Sequence, residues 1–518
     1  MKPEMNLALP RVFEYRFLLL VARHSPLVTV LVLLRRLLAT VLLIGGTFSP
    51  AVRAEPDLHK APKPGNRVQA FPWKESYEDE AVKLLQEYLR IDTSNPPGNE
   101  RAAADFFHRL LVEQGIVDTL YDYAPGRANL YAILKGDGSL RPIILLNHMD
   151  VVRAEAKNWR VPPFSGELVD GRIYARGALD MKDEGLLQVM VMLIAAREHL
   201  GLKRDLIFLA TSDEEVGGTG SAWMIAHHPE LVNQAEYLIT EGGSNLVYPG
   251  RGTVYGIDVA EKAPFWIRLT AKGRGGHGSI PLRDSAPNRL VEAMHRVTTW
   301  NPPIRLIPSV EQYFHRMASL EREPMASRFR NIRKSLEDPA FAQQLSANED
   351  FNYQLRDTVA LTVLEGSSQT NVIPDTAHCE LDVRLLPGED PQGFLARLGN
   401  VVADDQIQIE PLNAFRSPNS SPTDTGLYRI IEQVVHEYNP GALITPVLNS
   451  GYTESQMYRP LGIHAYGFAP IEVTPEEEST EHAANERVPV EQIRRGTRML
   501  YEIVARAAAS QQPVTSGQ

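Results

Sequence analysis

The run PIILL at residues 142–146, the longer run EGLLQVMVMLIAAREHL at 184–200 and DLIFLA at 205–210 follow one another along the chain. The first and third are short, apolar and bounded by polar residues, which fits buried strands. The second is long enough only for a helix. The alternation continues with a short helix at Ser221–His227 and a strand at Tyr237–Thr240. Strand–helix alternation predicts an α/β fold, with a mostly parallel central sheet flanked by helices. Upstream, an amphipathic helix is expected over Glu80–Leu89. IDTSNPPG (91–98) breaks it at Pro96-Pro97-Gly98, and a second helix follows at Ala102–Gln114.

Downstream the character changes near Pro264. Strands are expected at Phe265–Ala271, Thr358–Leu364, Thr376–Leu385 and Gln406–Glu410, with helices at Ser285–Thr299 and Pro391–Val402. Residues 310–350 read as charged helix. The block 262–412 thus reads as an inserted α+β domain. Helical periodicity returns at Asp424–Glu437, and Val490–Ala508 closes the fold. The expected organisation is a catalytic domain in two parts, 75–261 and 413–510, interrupted by 262–412. A polar tail follows at 511–518.

The 518 residues include one cysteine, Cys379, so neither an intrachain disulfide nor a sulfur-ligated metal cluster can form. Any metal must be held by His, Asp and Glu. The net charge of −11 argues against a nucleic-acid partner, which needs a basic face. Residues 1–54 carry seven Lys/Arg against two Asp/Glu, so the remainder, with 46 Lys/Arg and 62 Asp/Glu, stands at −16. Arg35 and Arg36 precede the apolar Leu37–Ile44, and small residues close the segment at Val52-Arg53-Ala54. This pattern reads as a secretory signal peptide over 1–54, with Pro- and Lys-rich 55–74 as a linker. Export to a periplasm or the exterior is expected, and a retained N-terminal membrane anchor is the alternative.

Acids and histidines collect at the C-terminal ends of these strands. His148 and Asp150 follow the first run, Glu214 and Glu215 follow Leu206–Thr211, and Glu241 follows Tyr237–Thr240. Asp180 sits between Arg176-Gly177 and the long helix, and His482 lies in the acidic loop before the last helix. In an open α/β sheet these ends meet at one crevice, where ligands bind. Taken singly, an HxD or an acid pair is ordinary surface charge; the joint placement is what carries weight. Oxygen and imidazole donors suit a hard or borderline divalent ion, with zinc the leading choice. Five ligands suit two ions sharing one carboxylate. The side chains of Glu214 and Glu215 diverge, so one can ligate while the other acts as general base.

LLNHMDVV, YARGALDMKDEG, LATSDEEVGG and ITEGG, in this order and spacing across residues 75–508, resemble the aminoacylase/carboxypeptidase family of di-zinc metallopeptidases. That family includes glutamate carboxypeptidase, acetylornithine deacetylase, succinyl-diaminopimelate desuccinylase and carnosinase-type dipeptidases. The resemblance implies that His148, Asp180 and Glu241 hold one Zn2+. Asp180, Glu215 and His482 hold the other, with Asp180 and a water bridging and Co2+ or Mn2+ as substitutes. It makes Glu214 the general base and has Asp150 orient His148. It also implies that 262–412 is a lid that often forms homodimers. In the lid, GRGGHGSIP places His277 where relatives carry a carbonyl-polarising histidine, often reaching the partner subunit's site. Asn371 and Arg384 match positions that bind a substrate carboxylate, a task that suits the two-pronged guanidinium. SGYTES, with Ser450 and Gly451, matches a loop lining the substrate pocket, where the usual form is GGTDA. Two departures stand out: DMKDEG in place of DMKG, and a longer lid. The longer lid, with DTVALTVLEGSSQTNVIP, is nearest to the carboxypeptidase S and secreted N-acyl-amino-acid hydrolase branch.

The implied activity is hydrolysis of an amide or peptide bond adjacent to a free carboxylate, in an acyl-amino acid or short peptide. A metal-binding but non-catalytic binding protein is one alternative, opposed by the intact base and ligand set. Hydrolysis of a carbamoyl group or cyclic amide is the other.

Overall fold

The structure is a computed structural model that describes residues 71–413 and 419–509. The expected signal peptide, most of the linker and the 511–518 tail lie outside the described residues. At the linker's end Phe71 and Trp73 pack against Tyr501, with ring centroids 6.4 and 5.7 Å away. The folded part therefore begins a few residues before position 75. Among the described residues, no helix is long and apolar enough to cross a membrane.

A ten-stranded sheet forms the centre. Its middle strands Leu206–Thr211, Ile143–His148, Tyr237–Thr240 and His464–Gly467 are neighbours in that order and all parallel. Every residue of the first three is buried. Unbroken burial needs both faces covered, as in parallel sheets flanked by helices. The pleat divides them: Ile143, Leu145 and Phe208 enter the larger core with helices Ser76–Tyr88, Lys182–Arg197 and Val490–Ala508. Ile144, Leu146 and Leu209 enter the smaller one, beside Met224 and Tyr458. Arg127–Leu134 and Val117–Ala124 extend one edge in antiparallel fashion. On the other side lie Gly252–Glu261, Asn245–Tyr248 and Glu472–Val473, with Leu443–Asn449 pairing parallel to Gly252–Glu261. The expected parallel α/β centre is present, and Tyr237–Thr240, Pro391–Val402 and Val490–Ala508 have the expected bounds.

A second, antiparallel sheet of five strands lies within 263–411, built around Thr376–Leu385. Burial alternates along that strand, as its sequence pattern requires of a sheet with one covered face. Helices Ala286–Thr299 and Pro391–Val402 cover it, and Leu269, Leu290, Leu381, Phe394 and the buried Cys379 share one core. The helical stretch between 308 and 355 does not join that core. Val310, Phe314, Phe329 and Phe341 pack into the core of the large sheet, and Phe314 meets Phe329 at 5.0 Å. The charge of this stretch obscured its apolar side. The fully buried Lys262 fastens its end, donating to Tyr353 O, Arg356 O and Thr358 Oγ1 at 3.1, 2.9 and 2.9 Å.

Candidate metal centre

The parallel strands deliver their acids and histidines to one place. His148 Nε2 lies 3.0 Å from Asp180 Oδ1 and 3.3 Å from Glu241 Oε2. His482 Nε2 lies 2.7 Å from Asp180 Oδ2 and 3.3 Å from Glu215 Oε2. The five expected ligands thus form two groups of three, and Asp180 turns one oxygen to each. Two ligand atoms each about 2.0–2.1 Å from one zinc at the tetrahedral angle stand roughly 3.3 Å apart, so the donor spacing fits such an ion.

The electrostatics point the same way. Burial pushes the Glu214, Asp183 and Glu184 carboxyls well above the ordinary range, with neighbouring acids adding to it. Burial also pushes Glu241 up to about 7. His482 is raised to about 10 by its hydrogen bonds to Asp180 and Glu215. Crowded buried acids of this kind are what bound divalent ions would relieve.

Three local devices set the ligand loops. Glu241 is followed by Gly242 and Gly243 at φ 106° and 76°. A Cβ on Gly243 would come within 2.3 Å of Gly256 O, so only glycine lets the chain turn against the neighbouring strand. The Asp180 loop is held by the buried Glu486, whose carboxylate accepts from the N–H groups of Gly177, Leu179 and Asp180 at 3.1, 2.7 and 3.3 Å. Glu486 also pairs with the buried Arg176, which donates to His482 O at 3.1 Å. One ion pair therefore ties the Asp180 loop to the His482 loop, and His482 itself stands at φ 57°. Third, Glu454 accepts from Thr211 Oγ1 at 2.7 Å, under the end of the strand that precedes Glu214.

Asp150 differs in detail from the expectation. His148 Nδ1 faces the Asp150 backbone oxygen at 3.0 Å, while the carboxylate is 3.7 Å away. The carboxylate instead accepts from the N–H groups of Glu214 and Glu215 at 3.1 and 3.2 Å. Asp150 thus holds the histidine through its main chain and the acid pair through its side chain.

A cavity of about 1080 Å³ opens beside this cluster. Asp180, Glu214, Glu215, Glu241 and His482 line it, together with Arg384, Ser450 and Gly451 from the expected substrate set. Arg384 gives Nε and Nη2 to Asp382 at 2.8 and 3.1 Å. His277 and Asn371 are not among the lining residues. Both are exposed, on a short ladder in which His277 pairs with Val372 and Gly278 N donates to Asn371 O at 2.8 Å. Asn95, Arg127, Asp213, Arg176, Glu454 and Glu486 belong to the surroundings of the site and were not singled out from sequence. Asn95 lies in the TSNPPG turn, and Arg176, Asp213 and Glu454 lie inside the motifs YARGALDMKDEG, LATSDEEVGG and SGYTES; Arg127 and Glu486 carried no signal.

Residues 144–506 match the model of peptidase family M20/M25/M40. The chain belongs to that family. It is an amide-bond hydrolase by membership, and M20 enzymes are metal-dependent and typically dinuclear. Over 502 residues it is 29% identical to the human N-fatty-acyl-amino acid synthase/hydrolase PM20D1, covering 92% of this chain and 97% of that protein. It is 27% identical to a probable carboxypeptidase S-like 2 of Dictyostelium discoideum over 380 residues, 71% of this chain and 72% of the relative. In fold it is similar to the M20 metallo-carboxypeptidase Sso-CP2 of Sulfolobus solfataricus, with a TM-score of 0.62 at 18% identity over 82% of this chain and 99% of the other.

Proposed function

We propose that the protein is a di-zinc hydrolase of N-acyl amino acids, cutting the amide bond beside a free carboxylate. The observation that carries this reading is the pair of donor groups sharing Asp180 at the mouth of one large cavity. His148, Asp180 and Glu241 would hold one ion, and Asp180, Glu215 and His482 the other. Such ions, when bound, acidify water and offset negative charge on an attacked carbonyl. Glu214 lines the cavity without belonging to either donor group. It takes the proton of the attacking water and returns it to the leaving amine. Leu246, Tyr248, Val254, Tyr313, Met317 and Val447 form an apolar wall suited to an acyl chain. The likeness to an enzyme named for N-fatty-acyl-amino acids supports the same choice over short peptides.

Arg384 meets the substrate carboxylate with the edge that Asp382 does not occupy. His277 and Asn371 lie off the cavity of their own chain, which fits a homodimer in which the partner's lid supplies them. Residues 1–54 direct the enzyme out of the cytoplasm.

Zinc-loaded enzyme assayed on N-acyl amino acids of increasing acyl length, dipeptides and the matching C-terminal amides tests this reading. Long-chain acyl-amino acids should show the highest kcat/KM. Metal-loaded protein that hydrolyses none of them would refute it. Arg384→Ala should raise KM for the carboxylate substrates by about 10- to 100-fold, the worth of a charged hydrogen bond, and leave the amides little changed. Equal effects on both series would rule out the carboxylate clamp.

A further inference from the structure

We infer that Asn95, backed by Arg127, is a positioning residue for the general base, acting through Asp150 and Asp213. This rests on Glu214 being that base. The IDTSNPPG turn runs alongside the loop that follows His148. Thr93 Oγ1 donates to Met149 O at 2.7 Å, Val151 N donates to Thr93 O at 3.2 Å, and Asn95 N donates to Val151 O at 2.9 Å. These bonds deliver the Asn95 carboxamide, 4% exposed, between two carboxylates. Its Nδ2 donates to Asp150 Oδ2 at 2.8 Å and to Asp213 Oδ1 at 2.9 Å. Its Oδ1 accepts from Arg127 Nη2 at 2.7 Å. Both amide protons and the carbonyl oxygen are thereby engaged.

Each partner leads to the acid pair. The Asp150 carboxylate holds the N–H groups of Glu214 and Glu215. Asp213, immediately before Glu214, stands at φ 70°, a left-handed conformation that a non-glycine residue keeps only when its surroundings hold it. Its carboxylate is held by Asn95, by the Thr219 hydroxyl and by Arg127 Nη1 at 2.5 Å. Arg127 also reaches Glu100 Oε1 at 3.1 Å and Pro97 O at 2.8 Å, anchoring the group to the turn. A carboxamide is the smallest side chain that can donate to two acids and still accept from an arginine. The turn that aims Glu214 is therefore set from outside the cavity, by residues that touch neither substrate nor metal ligand side chains.

Asn95→Ala should lower kcat by about 10- to 100-fold, the cost of misplacing a reacting group by an ångström or less. KM should stay within about threefold of wild type, because no substrate-binding group is removed; zinc affinity, measured by chelator competition, should fall less than kcat, because Glu215 keeps its carboxylate. Hydrogen exchange at the Glu214 and Glu215 amides should accelerate. Asn95→Asp, equal in shape but turning a third carboxylate toward Asp150 and Asp213, should fall at least as far. In a Glu214→Gln background, Asn95→Ala should add less than about twofold, since a residue acting through the base has nothing left to position. Wild-type kcat in Asn95→Ala overturns the inference, as does an equal loss in both backgrounds. Should Asn95→Ala fail to fold, Arg127→Lys carries the same test: a kcat loss at unchanged KM supports the inference, and wild-type kcat overturns it. Full activity in Glu214→Gln would instead remove the base assignment beneath it, a different failure.

Discussion

Replacing Glu214 with glutamine is expected to lower kcat by about 10³- to 10⁴-fold, the upper range for removing a general base, while both metal ions stay bound. The two parts of this expectation come from different features. Glu214 stands outside both donor groups, so its loss removes no ligand. Glutamine keeps the volume and the backbone N–H that Asp150 accepts, so the turn should persist. What disappears is a cavity-lining carboxylate that stands next to the ligand Glu215 in sequence and belongs to neither donor group. Burial raises its proton affinity, and Glu241 adds to this. A base so placed works only when deprotonated, so kcat/KM in the wild type should rise with pH through its pKa on the acid side. In Glu214→Gln that acid limb should vanish from the residual rate. Metal analysis by mass spectrometry, alongside the kinetics, separates this from trivial loss of zinc. Full turnover with two zincs bound would sink the proposed mechanism.

Much of the site was legible because parallel sheets write themselves plainly. Each buried strand is a largely apolar run, so the acids and histidines within a few residues of its end lie at the crevice; His148, Glu214, Glu215 and Glu241 were all found this way. Asp180 and His482 follow no such run; their places before the long helix and in the acidic loop before the last helix singled them out, and the resemblance divided the five ligands between two ions. The polar frame behind the ligands was harder to see. Asn95, Arg127 and Glu486 lie far along the chain from the groups they hold: Glu486 stands 306 positions from Asp180. No periodicity reports such a pairing. The strands Leu443–Asn449 and His464–Gly467 were also missed. Pro446 interrupts the first, and the second, His464-Ala465-Tyr466-Gly467, has no apolar run to mark it. The 308–355 helices mislead for the opposite reason, since their charges dominate the composition while Phe314, Phe329 and Phe341 do the packing.

Asp180→Asn is expected to cost more metal than any other single ligand change. The carboxylate presents Oδ1 toward His148 and Oδ2 toward His482, so it alone belongs to both donor groups. Burial works to raise it, yet the two histidines outweigh burial and hold it below its ordinary value. An asparagine offers one oxygen and no charge, leaving each ion with two good ligands at most. Bound zinc should fall from two per chain to well below one, with kcat/KM down by at least about 10³-fold, since both the ions and their activated water are lost. His148→Ala is the control: it spares Asp180, Glu215 and His482, and should keep about one ion. Protonation supplies an independent readout. With its carboxylate partners in place, His482 holds its proton up to about 10 in the metal-free protein, so zinc must displace it and uptake releases protons at neutral pH. Apparent affinity should therefore rise with pH below that value. Without Asp180, the largest cause of that shift, His482 should titrate lower and the release measured calorimetrically in two buffers should shrink. Two zincs bound at wild-type affinity in Asp180→Asn would mean that the carboxylate is not shared, and the paired centre would have to be redrawn as two separate sites.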